Sequence, residues 1–400
     1  MRLQTRSRCL AAVVACVSAC AAPDHGITVT PGVDSTVLAD YSGVQSVAAT
    51  FQLLGGYRLD AQYASEGLAL VRDANGFVVE AVGGAHVYTN SLNVYDLRTP
   101  IGTGSDVNSY PLLTPGRNWP IGVLFPRMIT GQTIRDVAVR QSAGGYEIGG
   151  IGRVFYNTAP RPTTQINVRE LLTNGTTLGR AYEIPVDLPE QEFSGFIKHP
   201  QSRVDFEEIG AGAYDSGQGS VGGLSYAIQQ TTGSWRRLLS PPSFGDITSP
   251  RLPRDANYSC PGGASWVCIP PVNGVGVWST ERIGGGGVKY GDNVMFIATL
   301  GYGPRTYAQQ SYTFGDPNLD QAVAYFFRRD RVTNVVTFVS YGTWTYASAG
   351  QLVIGTAVGR LRGNPDLLLF VTTRNGWNVG QAQIGAVLQI FRINAVPGSR

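Results

Sequence analysis

The sequence predicts an all-β fold, a five-bladed β-propeller, and three observations carry that expectation. Only 15% of the 400 residues are charged, while 51 are glycine, 23 proline and 19 tyrosine, against about 25% charged in an ordinary globular chain. That composition suits short strands joined by turns. Beyond about residue 50 there is no helical period. Runs such as GFVVEAV, SLNVYDL, NVMFIATL, AVAYFF and AVLQIFRI are short, β-branched and aromatic, and Gly, Asn and Asp punctuate them. Finally, the pattern repeats at long range. An aromatic followed by x-[Ser/Thr]-Glu stands ten residues before a turn glycine twice, as Glu66 with Gly76 and as Glu281 with Gly291. Repeats of roughly 60–75 residues point to a radial array of sheets. A two-sheet sandwich is the alternative, because glycine-rich β segments align with one another easily.

Taken in order, the chain begins with a segment that is not part of the fold. MRLQTRSR carries three arginines, CLAAVVACVSAC is a short apolar run, and small residues follow. This is the pattern of an export signal, too short for a membrane span. Val17-Ser18-Ala19-Cys20 resembles the bacterial lipobox. The resemblance implies cleavage before Cys20, a lipid on its sulfur and anchoring in the cell envelope, since two acyl chains hold stably where one is marginal. Ordinary cleavage near Ala22, giving a secreted chain, is the alternative. Residues 21–45 read as a tether, and 46–395 as one propeller domain.

The first repeat is YASEGLALVRDANGFVVEA (63–81). TIRDVAVRQSAGGYEIGG (133–150) follows, with Asp136 nine residues before Gly145. A strand pair at 204–228 fills the third place. WSTERIGGGGVKYGDNVMFIA (278–298) is the fourth, and LVIGTAVGRLRGNPDLLLFV (352–371), turning at Gly363, the last. Inner propeller strands begin at the central axis, so Glu66, Asp136 and Glu281 are expected to start inner strands and converge on one funnel. Cys260 and Cys268, separated by seven residues, are the pair left in the body of an exported chain and favour a disulfide. Such a link should stabilise by roughly 2–3 kcal/mol. Alkylation of the unfolded, unreduced chain should therefore leave both thiols unlabelled; labelling of both would contradict the link.

Several segments resemble the levansucrases and their relatives, the family 68 glycoside hydrolases. SVGGLSYAIQQTTGSWRRLLSPP (220–242), VWSTERIGGGGVKYGDNVMFIATLG (277–301), GNPDLLLFVTTRNGWNVGQAQIGAVLQIFRI (363–393) and LVRDANGFVVEAVGGAHVYT (70–89) follow that family's pattern and order. The resemblance implies a five-bladed propeller acting on fructose-containing or other furanoside sugars, such as sucrose or fructan. In Thr280-Glu281-Arg282 it implies that Glu281 is the acid/base. Glu66 falls at the nucleophile position, one methylene longer than the family's aspartate. Asp136 or Asp205 would stabilise the ring cation, Arg282 and Arg135 would bind hydroxyls, and Trp278 and Tyr63 would offer apolar faces. The family's Trp-Asp-[Ser/Thr]-Trp-Pro and Arg-Asp-Pro motifs have no clear match here.

Two carboxyl groups on either side of a glycosidic bond, one protonated and one nucleophilic, make a retaining site. A neighbouring carboxylate and partial burial would hold the proton on Glu281. Each residue also has an ordinary structural reading, for Glu281 an ion pair with Arg282 and for Asp136 a turn cap. A glycan-binding propeller without activity, or a structural envelope protein, are therefore the rival functions. Other chemistries are poorly represented. Three histidines give little material for a Ser–His–Asp site or a metal, and no Gly-x-Ser-x-Gly, P-loop or dinucleotide fingerprint occurs. A formal charge of +3 without a basic cluster argues against nucleic acid. No cofactor is expected, and the chain is expected to be a monomer.

Overall fold

The computed structural model describes residues 51–394 apart from 62–66, 84–90, 129–131, 143, 155–162, 173–175, 189–192, 194, 202–204, 211–224, 240–268, 273–274, 278–282, 301–320, 346–351 and 379–383. The segments expected to be a signal and a tether, with Cys20, and the expected Cys260–Cys268 link lie outside the described residues.

The strands follow the chain in five antiparallel sheets. β1 (Phe51–Leu59) comes first and waits for its sheet. β2 (Leu68–Arg72), β3 (Val78–Gly83) and β4 (Ser91–Asp96) form the first blade. β5 (Leu112–Leu113) pairs in parallel with β1, and β6 (Arg117–Pro120) completes the first blade. β7 (Gln132–Ser142), β8 (Gly145–Val154), β9 (Gln165–Leu172) and β10 (Leu178–Pro185) are the second. β11 (Gly195–Lys198), β12 (Glu208–Gly210), β13 (Tyr226–Gln229) and β14 (Trp235–Leu239) are the third. A small hairpin, β15 (Ile269–Val272) and β16 (Val275–Val277), precedes the fourth blade and touches it at Val277–Leu300. That blade is β17 (Ile283–Tyr290), β18 (Asn293–Leu300), β19 (Gln321–Arg329) and β20 (Val336–Thr345). β21 (Leu352–Gly359), β22 (Leu368–Asn378) and β23 (Ile384–Ile393) make the fifth. β1 returns here as its outer strand, in register from Phe51–Ile393 to Leu59–Ala386.

The first strands of the five blades, β2, β7, β11, β17 and β21, each pack beside the next, and β21 packs beside β2. The ring is therefore closed, and the fold is the five-bladed propeller the repeats predict. β11 and β17 pair in parallel, Ile197 with Gly287 and Lys198 with Val288. Gly67 N donates to Ile354 O, joining the start of β2 to the start of β21. The inner strands thus all run one way. Their starts form the entrance end of the axis and their ends the far end.

Apolar clusters fill the spaces between blades. Leu68, Leu70, Phe370 and Leu388 pack between the fifth and first. Val71, Val82, Val137 and Ile148 pack between the first and second. Ile166, Val168, Phe196 and Phe206 pack between the second and third. Met295, Phe326, Val371 and Phe391 pack between the fourth and fifth. Because a blade has a neighbour on each face, a strand such as β2 is buried along its whole length rather than at alternate residues.

Gly76 and Gly291, the turn glycines of the aligned repeats, both have positive φ, 82° and 59°, in hairpins that need the left-handed conformation. The third blade differs from the sequence expectation. Its inner strand is Gly195–Lys198, and residues 204–228 hold the second and third strands instead. Four residues are too few to show a period, and a lysine at the end of so short a run reads as a surface position.

Candidate functional site

Near the entrance end of the axis one residue from each blade meets. These are Gly67, Asp136, Gly195, Gly286 and Gly355. A Cβ on Gly67 would lie 2.7 Å from the Asp136 Cα, one on Gly195 would lie 2.4 Å from the Gly286 Cα, and one on Gly355 would lie 2.6 Å from the Gly67 carbonyl carbon. Four glycines let five strands approach so closely that the remaining residue, Asp136, fills the centre.

Asp136 is four residues inside β7 rather than at its start, just past a register shift between Ile134 and Asp136 that leaves Arg135 as the bulged residue. A bulge re-aims the following side chain. The Asp136 carboxylate has no exposed surface. Its Oδ2 accepts from Phe196 N at 2.8 Å, and Lys198 Nζ donates to both oxygens at 2.5 Å. Burial pushes this carboxyl up, to about 6, against the pull of Lys198. Burial likewise pulls the Lys198 ammonium down, with Asp136 opposing. The pair excludes an unpaired buried charge, which is the arrangement a desolvated ion requires.

Asp205 stands toward the far end, in the turn after β11. It is buried, accepts from His199 N at 2.9 Å, and burial pushes its carboxyl up to about 6 while Arg72 pulls it down. Arg72, the last residue of β2, crosses the axis. It donates to Val358 O at 2.7 Å and His199 O at 3.2 Å, tying the first blade to the fifth and third. Gln141 Nε2 donates to Arg72 O at 2.8 Å and adds the second blade. Asp136, Lys198, Asp205 and Arg72 therefore form an alternating column of charge that plugs the axis below the entrance.

A second buried network lies between the third and fourth blades. Glu208 receives hydrogen bonds from the Tyr226 hydroxyl and from Arg329 Nη1 at 3.1 Å, with Lys289 Nζ at 3.3 Å and His199 Nε2 at 3.4 Å. Burial alone would push the Glu208 carboxyl up, but His199, Lys289 and Tyr226 outweigh it and hold it at about 2. Unfolded, the group titrates near 4.5. Its ionised form therefore stabilises the fold fully above pH 4.5, and that contribution is lost as the pH falls toward 2. Glu208→Gln should flatten the loss of stability over this window in denaturant titrations. A variant with the parent's slope would show that Glu208 does not drive it.

Of the site residues expected from sequence, Asp136, Arg135 and Asp205 are described. Asp136 is on the axis, Arg135 beside it and half-buried, and Asp205 at the opposite end from the inner-strand starts. Glu66, Tyr63, Trp278, Glu281 and Arg282 lie outside the described residues. Sequence reading missed Lys198 and Arg72, and gave Glu208 no role. The one available signal was a lysine closing the apolar run GFIK, with a glycine at its head. Among the described residues, no group of three or more His, Cys, Asp or Glu stands where it could hold a metal ion.

No family model matches the sequence, and no curated protein matches it. Among solved structures, the chain is similar to a subtype N11 neuraminidase-like protein of A/flat-faced bat/Peru/033/2010 (H18N11). The identity is 10% over 82% of this chain and 72% of that chain, with a TM-score of 0.31. The propeller rests on the strand pairing described above and takes nothing from this likeness.

Proposed function

We propose that the entrance end of the axis is a carbohydrate site, and that the protein is an exported hydrolase or glycosyl transferase of furanoside sugars. The observation that supports this is the convergence of the inner-strand starts on Asp136. In sequence Glu66 directly precedes Gly67, a member of that axial layer, and Glu281 stands two residues before β17. Two carboxyl groups carried to one funnel are what retaining chemistry needs, at about 5–5.5 Å from each other. Glu281 gives its proton to the leaving oxygen, and Glu66 attacks the anomeric carbon and forms a glycosyl ester. Glu281, now a carboxylate, draws a proton from the incoming water or sugar hydroxyl that breaks that ester. Asp136, enclosed and paired with Lys198, does not touch the sugar; it is a positioning residue beneath the two acids. Arg135 and Arg282 serve substrate hydroxyls, and Tyr63 and Trp278 stack on the ring.

One observation favours a second reading, a glycan-binding propeller without turnover. The Asp136 carboxylate is enclosed and engaged by Lys198 and by Phe196 N. Incubating the purified chain with sucrose, levan, inulin and arabinofuranosides separates the two. Released or transferred sugar supports the enzyme. Saturable binding without release supports the glycan-binding protein, and neither result on any of these sugars overturns the carbohydrate site.

A further inference from the structure

The contact between Asp136 and Lys198 has a chemistry that the carbohydrate site does not use. Lys198 Nζ stands 2.5 Å from Oδ1 and 2.5 Å from Oδ2, inside the about 2.7–2.9 Å of an ordinary ammonium–carboxylate hydrogen bond. A nitrogen equidistant from both oxygens is centred on the carboxyl group and faces its carbon. Neither partner can turn away, since the lysine and aspartate side chains are 3% and 0% exposed. Ile134 and Val137 fix β7 around Asp136, and Phe196 and Ile197 fix β11 before Lys198; all four are fully buried. The axial glycines close the remaining faces. A Cβ on Gly67 would lie 2.8 Å from Oδ1, and one on Gly286 would lie 2.9 Å from Oδ2.

In water an amine and a carboxylic acid form an unreactive salt, and water in excess opposes their condensation. Enclosure weakens both obstacles. It disfavours the two charged forms relative to the neutral amine and acid, and it acts in that direction on Asp136 and on Lys198. Groups fixed in reacting geometry gain an effective concentration of about 10⁵–10⁸ M. Two neighbours complete the arrangement. Phe196 N donates to Oδ2 at 2.8 Å, where it would meet the negative charge of a tetrahedral intermediate. Asp205, a second enclosed carboxyl, acts electrostatically on the same lysine.

We infer that Lys198 Nζ condenses with Asp136 Cγ to an amide, releasing one water and tying the second blade to the third by a covalent bond across 62 positions. The ion pair is the reactant. A proton passes from Nζ to Oδ1, leaving a neutral amine and a neutral acid. The nitrogen lone pair attacks Cγ, and the electrons of the C=O bond move onto Oδ2, held by Phe196 N–H. Asp205 takes a second proton from Nζ and returns it to Oδ1. The Cγ–Oδ1 bond breaks, water leaves, and the C=O bond to Oδ2 re-forms. The third proton stays on the amide nitrogen, and Asp205 ends as the carboxylate it began as. Nothing in this step depends on whether the propeller turns over or only binds a sugar.

The test is a tryptic mass map of the full chain, purified folded and then denatured. Condensation blocks cleavage after Lys198, so Asp136–Arg140 should appear joined to Ala181–Arg203 as one branched peptide, lighter by one water than the two together. Lys198→Arg keeps the charge but offers no nucleophilic amine, and its map should show Asp136–Arg140 free. Refolding the chain from urea should make the branched peptide grow with time, and Asp205→Asn should slow that growth by about 10²–10⁴-fold, the share of a lost proton carrier. Separate, full-mass peptides from the folded parent chain overturn the inference whatever the variants do. So does loss of one water confined to the Asp136 peptide, which is cyclisation onto its own backbone, or a branched peptide formed equally well in urea. Equal rates in the parent and Asp205→Asn overturn the relay through Asp205.

Discussion

Glu281→Gln is expected to lower turnover of an accepted furanoside by about 10²–10⁴-fold, the usual share of general acid catalysis. The amide keeps the size and hydrogen-bonding shape of the side chain but has no proton to give to the leaving oxygen. Substrate binding should change little, so the loss should fall on kcat rather than KM. Glu66→Gln should be at least as damaging, because the glycosyl ester cannot form without a carboxylate. The double variant should be little worse than the poorer single one, since both groups act on one bond. A better leaving group should partly rescue Glu281→Gln and leave Glu66→Gln inactive in the first step. Steady-state kinetics on a sugar and on its activated aryl glycoside would measure this. Parental activity in Glu281→Gln would remove the acid/base assignment.

The second large effect is on stability. Lys198→Met leaves the Asp136 carboxylate enclosed at the centre of the ring without its cation, and Asp136→Asn leaves the Lys198 ammonium without its main partner. Breaking one side of such a pair should cost about 3–5 kcal/mol. The two should not add. Asp136→Asn combined with Lys198→Met removes both charges and should recover a good part of the loss, because the desolvation of two ions disappears together with their attraction. Equilibrium unfolding in urea reads all three variants. If Lys198→Met unfolds at the parent's midpoint, the axial pair does not hold the ring. Asp136→Asn is also informative for the site. If Asp136 acts only by positioning, a variant that remains folded should keep the pH dependence of turnover, whereas direct contact with the reacting sugar would shift it.

Much of the architecture was legible because it is local. Each strand run is a few residues with its own β-branched and aromatic composition, and in the first, second and fourth blades the hairpin from the inner to the second strand is marked by a glycine nine or ten residues after an acid. Gly76 and Gly291 turn the chain where the repeats require, with positive φ. Where the local signal was short, the reading slipped. GFIK gives no period, so the third blade was placed one strand late.

Asp136 and Asp205 were legible as acids of interest, but the cations that pair with the buried acids were not, for a physical reason. A lysine, an arginine or a glutamate in a β sequence normally faces water, and whether it does is decided by what packs on the other side of its strand. Lys198 meets Asp136 across 62 positions, Arg72 reaches Val358 across 286, and Arg329 reaches Glu208 across 121. Each of these partners is supplied by a different blade. The sequence by itself determined that the chain makes short strands in repeating units, and that acids recur at the heads of those units. Only closure of the ring, with β1 sealed against β23, decided which acids lie on the axis and which charges are buried, because burial is a property of neighbouring blades and not of the strand that carries the residue.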